Sequence, residues 1–384
     1  MNKFFFIFFT VFFASLYAQV SVQKNPYEGM YTDDQKVINE IWNKYLNSFN
    51  EGGEGDCSLW KKNKYLSDNK CNVLSSQGYY NPSLFKLSFK NQVISIEPVT
   101  ADQYKIVSQF YTINDGVLQP FAITNVMAEK NNNMFLLSDY LTYTTKDWKS
   151  HKIGRINYHY QTGYILNEEK AKQANATIGN IDKIFKLDIS NDIQYFLADN
   201  CRQVYTISGF DFAPSMNNVS DCAFFDSKNN ILYTTIRNGE NHKHELIHRI
   251  NIQYPHAHYL LLSGLSIYSN QKNTHIGYSY SELFTKFNDY YNEHKTVKPV
   301  LIDAEPFDKK ISIDYLIGAI VIDAILEKGG IDLLLKSLDT LETDEDLYNF
   351  LEKSYSVKKD QVGDWILLRA KKMTEKDFKF KINM

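Results

Sequence analysis

Asn241-His242-Lys243-His244-Glu245-Leu246-Ile247-His248 is the stretch on which the reading of this chain turns. If it is helical, His244 and His248 stand one turn apart on one face, so both imidazoles reach a single metal ion. Glu245 follows the first histidine and is the candidate general base, taking a proton from a water that the metal activates. Five of the nine histidines fall between His242 and His258. His242 projects from another face of such a helix and reads as a surface residue.

The flanks support a helix here. Asn230–Ile236 is β-branched and aromatic and reads as a strand, Arg237-Asn238-Gly239 as a turn. Glu240 then reads as an acidic first-turn residue of a helix running to Ile252, where it favours the helix dipole. Upstream, Glu168–Ile184 is helical in pattern and Ile193–Leu197 is a strand. Downstream, helices are expected over Ala257–Tyr268, Tyr280–Tyr291, Ile311–Glu327, Asp344–Tyr355 and Gln361–Lys371. Residues 166–384 therefore read as one domain with a small sheet followed by a mostly helical part.

The region before it has a different pattern. Thr32-Asp33-Asp34-Gln35 is a capping box, and Ile38, Ile41, Trp42, Tyr45, Leu46 and Phe49 follow at helical spacing. From Leu84 onward the pattern becomes strands, over Gln92–Glu97, Tyr104–Ile113, Leu118–Met127, Met134–Leu137 and Ile153–Tyr160. Asn114-Asp115-Gly116 and Asn131-Asn132-Asn133 are the turns between them. A helix followed by a meander suggests a curved antiparallel sheet wrapped on that helix, as in cystatin-like and cone-shaped folds. The fold class is thus α+β, with an N-terminal domain over 19–165 and a boundary near Gly163–Asn167.

Residues 1–18 have the form of a signal peptide, with Lys3, an apolar run from Phe4 to Phe13 and a cut near Ala18-Gln19. An uncleaved N-terminal anchor is the alternative. Export, to the periplasm or outside the cell, is the expectation, with no membrane span in the mature chain. The four cysteines lack Cys-x-x-Cys spacing, and the sequence-local disulfides Cys57–Cys71 and Cys201–Cys222 are the first choice among three connectivities. Formal net charge is −3, without a basic block among aromatics, which argues against nucleic acid as a partner.

The metal stretch, together with Leu260-Leu261-Leu262-Ser263-Gly264-Leu265-Ser266-Ile267-Tyr268, resembles the gluzincin pattern of peptidase-MA-like proteins. Tyr315-Leu316-Ile317-Gly318-Ala319 and Glu327-Lys328-Gly329-Gly330-Ile331-Asp332 resemble that family's later helices. The resemblance spans roughly Ile193 to Ala370. It implies a zinc metallopeptidase with His244 and His248 as ligands and Glu245 as general base. It also implies a peptide or protein substrate, laid along the strand that precedes the metal helix. The sequence departs from the family at Ser263, where the pattern has the glutamate that supplies the third ligand. A serine hydroxyl is a poor zinc ligand, so zinc binding is weak unless another group completes the set.

Several groups are candidates for that role. His256 lies about two turns from Ser263, roughly 10 Å along the axis, too far to replace it. Glu282 is the best carboxylate, with Asp303 and Glu305 behind it, although each reads more simply as a surface charge. The metzincin pattern fails, because Asn251 and Tyr254 occupy its fixed offsets. Tyr268 and Tyr315 are candidate oxyanion donors but fit a core position better, and Gly264 and Gly318 suggest close helix packing. His151, His159, His275 and His294 have no partners at ligand spacing. Two functions stay open: an exported zinc metallopeptidase, or a catalytically degenerate peptidase-like domain that binds a peptide or protein.

Overall fold

A computed structural model describes residues 21–48, 55–66, 70–74, 90–132, 134–216, 222–270, 278–301, 312–375 and 378–382. The signal-peptide reading, Asp303, Glu305 and His275 lie outside them. The chain forms two compact units, one of residues 1–144 and 205–216, the other of residues 145–204 and 217–384.

In the first unit a short strand, Ser21–Gln23 (β1), precedes the helix Asp33–Asn47 (α1). The capping box forms as expected: the Thr32 hydroxyl accepts from the Gln35 backbone, and the Gln35 side chain accepts from the Thr32 backbone. Strands Lys90–Pro98 (β2), Gln103–Asn114 (β3), Val117–Asn131 (β4) and Met134–Ser138 (β5) form an antiparallel meander, with β1 added parallel at the edge beside β2. Asp115 and Gly116 both have positive φ, the conformation that a two-residue hairpin loop needs to match strand twist. Ile38, Trp42, Tyr45 and Leu46 of α1 are buried, and the Trp42 indole donates to Ser108 of β3 at 2.9 Å. A single helical turn, Tyr140–Thr144 (α2), ends this part of the unit. The Cys57–Cys71 disulfide closes the intervening loop, and the Asp139 carboxylate holds it from below, accepting from Asn63 and from the Val73 backbone.

The second unit has its own five-stranded sheet. Its strands are Lys149–Ile153 (β6), Ile156–Tyr160 (β7) and, after the helix Glu168–Ile184 (α3), Ile193–Ala198 (β8). The chain then runs through Cys201–Ile207 (α4) and Phe210–Phe212 (β9), which pairs with β4 in the first unit's sheet. It returns as Ala223–Asp226 (β10) and Ile231–Thr235 (β11). The order across the second sheet is β10-β11-β8-β7-β6. Ile156, Tyr158, Ile193, Tyr195, Leu197 and Leu232 point from this sheet into one core with Ala171, Ala174, Ile178 and Ile181 of α3. Helices follow over Lys243–Leu246 (α5), Ile250–Gln253 (α6), Tyr259–Asn270 (α7), Tyr280–Glu293 (α8), Ile313–Thr340 (α9), Asp344–Tyr355 (α10) and Val362–Lys372 (α11). No helix of the described residues is long and apolar enough to cross a membrane.

The architecture is α+β with open sheets, and both sequence-local disulfides are present. Several expectations change. Ile153–Tyr160 is not one strand of the first meander. Gly154, at φ 59°, turns the chain there, and β6 and β7 belong to the second sheet, paired through β7 with β8. Period-two patterning reports a strand and says nothing of its partner. The units accordingly divide after Thr144, upstream of the expected Gly163–Asn167 boundary. The helix expected from Glu240 starts at Lys243, because Glu240 is buried and occupied elsewhere. α9 is two helical segments broken at Gly330, whose φ of 63° only glycine adopts easily, so the first helix ends close to the expected Glu327 and a leucine-rich segment follows to Thr340.

Candidate functional site

The loop Gly239–His242 reaches the helix under close control from the sheet. The Tyr195 hydroxyl donates to the Gly239 carbonyl at 2.7 Å and accepts from the His242 N–H at 3.3 Å. The Tyr158 hydroxyl donates to the Glu240 carbonyl at 3.0 Å. Glu240 does not serve a helix dipole. Its carboxylate accepts from the Tyr164 hydroxyl and from the Asn167 backbone, both at 2.7 Å, and so ties this loop to the start of α3.

The metal stretch itself is a turn of α-helix, a 3-10 turn over Ile247–Arg249, and α6. Leu246, Ile247 and Ile250 enter the core, and Arg249 is fully buried. The Arg249 guanidinium donates to Asp182 at 2.9 Å, to the Asn230 side chain at 3.1 Å and to the Ile189 carbonyl at 3.1 Å. Arg155 shares Asp182. Such a saturated buried cation fixes the rotation of the helix, because any turn would leave charge and donors unpaired in the interior.

With that rotation set, His244 and His248 face each other, their ring centroids 5.4 Å apart and their planes at 76°. Two imidazoles on one tetrahedral zinc, each bonded at about 2.0–2.1 Å, have centroids about 5 Å apart. The pair therefore has the spacing of two ligands. Burial pushes the His248 ring down to about 4, against a smaller opposing effect of a hydrogen bond with Asn251. The His248 ring is thus available in the neutral form that ligates metal.

Glu245 is 7% exposed, and no cation of the described residues is within salt-bridge distance except the His244 ring at 3.9 Å. Burial raises its carboxyl to about 8, opposed in part by the Phe225 backbone N–H, which donates to it. Phe225 belongs to β10, the edge strand. The expectation that a substrate would pair along 230–236 is corrected here. That segment is β11, whose two edges are taken by β10 and β8. Among the described strands β10 is the outermost on this side, and Cys222 just before it is bonded to Cys201.

The third side of the site comes from the crossing of α7 and α9. Their backbones touch: a Cβ on Gly264 would sit 2.1 Å from Gly318 C, and one on Gly318 would sit 2.2 Å from the Leu260 carbonyl oxygen. The close packing expected of these two glycines is present, and it brings Ser263 beside Tyr315. Tyr315 lies 6.4 Å from His244, ring to ring and nearly parallel, and shares a hydrogen bond with the Ser263 hydroxyl. Burial, then the nearby Glu245 carboxylate, raises its phenol. Tyr315 thus packs against the core, as its spacing suggests, and also borders the site. Tyr268 is a core residue, donating to Asp323 at 3.2 Å.

The other candidates go elsewhere. Glu282 accepts from Ser279 in the capping box of α8 and is exposed. His256 is exposed, and both ring nitrogens of His258 are engaged, one with Asp344 at 2.8 Å and one with the Leu260 N–H at 3.2 Å. His242 is not a surface residue. It is the N-cap of α5, half-buried, and burial together with the neighbouring His248 brings its ring down to about 4. Among the described residues, no three His, Cys, Asp or Glu side chains already converge at metal-ligand distance. The donor set fits zinc at two positions by type and spacing, and beside it His242 Nδ1 is a buried atom with no hydrogen-bond partner. Phe225 and His242 carried no local signal in the sequence, since their roles depend on strand pairing and burial.

Compared with models of known protein families and with curated proteins, the chain matches none.

Proposed function

We propose that the second unit is a zinc-dependent peptidase of the gluzincin type, in a protein exported after removal of residues 1–18. The observation that carries this reading is Glu245. A carboxyl group buried without a countercharge costs stability, and no packing role requires it between two histidines of ligand spacing. Chemistry supplies the role that packing does not. A zinc ion held by His244 and His248 would supply Lewis acidity and make a water acidic enough to lose its proton near neutral pH. Glu245 takes that proton and returns it to the leaving amine. Tyr315, with its phenol kept protonated, donates to the oxyanion of the tetrahedral intermediate. An extended peptide would lie beside β10, the outermost described strand on this side, whose Phe225 N–H meets Glu245.

The test is zinc content together with hydrolysis of a peptide library by purified protein. Near-stoichiometric zinc and cleavage abolished by Glu245→Gln support the reading. Cleavage unaffected by Glu245→Gln would refute it. One observation favours a second reading, a domain that binds peptides without cleaving them: Ser263 stands where the family pattern has a ligand, and its hydroxyl is bound to Tyr315. On that reading, wild-type protein takes up no zinc and the Ser263→Glu variant does.

A further inference from the structure

We infer that His242 is the third protein ligand of the metal centre, taking over from outside the helix the role that Ser263 cannot fill. The inference rests on the zinc reading above. Its starting point is an anomaly of burial. A histidine at an N-cap position ordinarily serves the helix or faces water. His242 does neither: its side chain makes no capping hydrogen bond, its residue is half-buried, and its Nδ1 is enclosed without any partner among the described residues. Enclosed polar atoms in folded proteins are nearly always satisfied, and an exception is a place to look for a missing water or ion.

The position of the ring says which. Its centroid is 6.2 Å from that of His244, with the planes at 29°. His244 in turn is 5.4 Å from His248. The His244–His248 spacing is close to the roughly 5 Å that two imidazoles adopt on one tetrahedral zinc, and the His242–His244 spacing exceeds it by just over 1 Å, a gap that a turn of the His242 ring would close. Three neutral imidazoles are a known ligand set for catalytic zinc, leaving the fourth position to water or substrate.

The backbone supports the assignment. The His242 N–H is held by the Tyr195 hydroxyl, itself anchored on β8 and bonded to the Gly239 carbonyl. The residue is thus fixed at its main chain, while its ring has no bond to break before turning toward the metal. Ser263, by contrast, is already engaged with Tyr315.

The experiment is zinc titration of the full mature chain against a chromophoric chelator, for wild type, His242→Ala, His242→Gln, His244→Ala and the pair His242→Ala with Ser263→Glu. Circular dichroism checks that each variant is folded. A ligand role predicts that both His242 variants bind zinc at least 100-fold more weakly than wild type, and that Ser263→Glu restores affinity in the His242→Ala background. Long-range 1H–15N spectra of the imidazoles should show the His242 ring nitrogens shifting when zinc is added. If the His242 variants bind like wild type while His244→Ala does not, His242 is no ligand and the zinc reading stands. If wild type and His244→Ala are equally unable to bind zinc, both readings fall.

Discussion

Replacing Glu245 with glutamine should make the metal-free protein more stable, by an amount that grows with pH. Burial lifts the carboxyl from its ordinary 4.5 to about 8 in the folded chain. Between these values the folded state holds a proton that the unfolded state has released. Folding stability therefore falls as pH rises through this window, and levels off above it. Linkage puts the loss at a few tenths of a kcal/mol near pH 4.5, about 3 kcal/mol at pH 7 and about 4 kcal/mol at pH 8. Glutamine has the same shape, does not ionise, and still accepts from the Phe225 N–H, so it escapes this loss. At roughly 2–4 °C per kcal/mol for a unit of this size, the variant should melt about 6–12 °C higher at pH 7. The assay is thermal unfolding of chelator-treated wild type and Glu245→Gln from pH 4.5 to 8.5. Curves that stay parallel across that range, or coincide, would refute the argument that Glu245 is a destabilising buried acid. A gain in stability accompanied by loss of hydrolysis is the trade expected of a residue kept for chemistry.

Three further outcomes follow from the packing around the site. Gly318→Ala places a methyl 2.2 Å from the Leu260 carbonyl oxygen, so α7 and α9 must part; denaturant unfolding should show a loss of about 1–3 kcal/mol or more. Asp182→Ala strips Arg249 and Arg155 of their shared carboxylate, and the same assay should give a loss of about 3–5 kcal/mol. Replacing Cys201 and Cys222 together with serine opens a loop of 21 residues' separation, costing about 3 kcal/mol in chain entropy and loosening β10; calorimetry of the variant beside wild type measures it.

What could be read along the chain is what depends on neighbours a few residues apart. The Thr32 capping box, the Asp115-Gly116 hairpin, the extent of α3 and α10, the local disulfides and the one-turn spacing of His244 and His248 all follow from such contacts. They fix the class as α+β and identify the pair that faces a common point. Tertiary structure decided the rest, because pairing and burial depend on residues tens of positions away. β7 joins the second sheet through β8, and β11 is closed on both edges, so among the described strands β10 rather than β11 forms the sheet edge beside the site. Glu240 is drawn from the helix by Tyr164 and Asn167, more than seventy residues upstream. His242 becomes an enclosed ring rather than a surface one, and Tyr315 reaches His244 because Gly264 and Gly318 allow two helices to touch. The helical period showed that His244 and His248 share a face; only the packed molecule shows what stands opposite them.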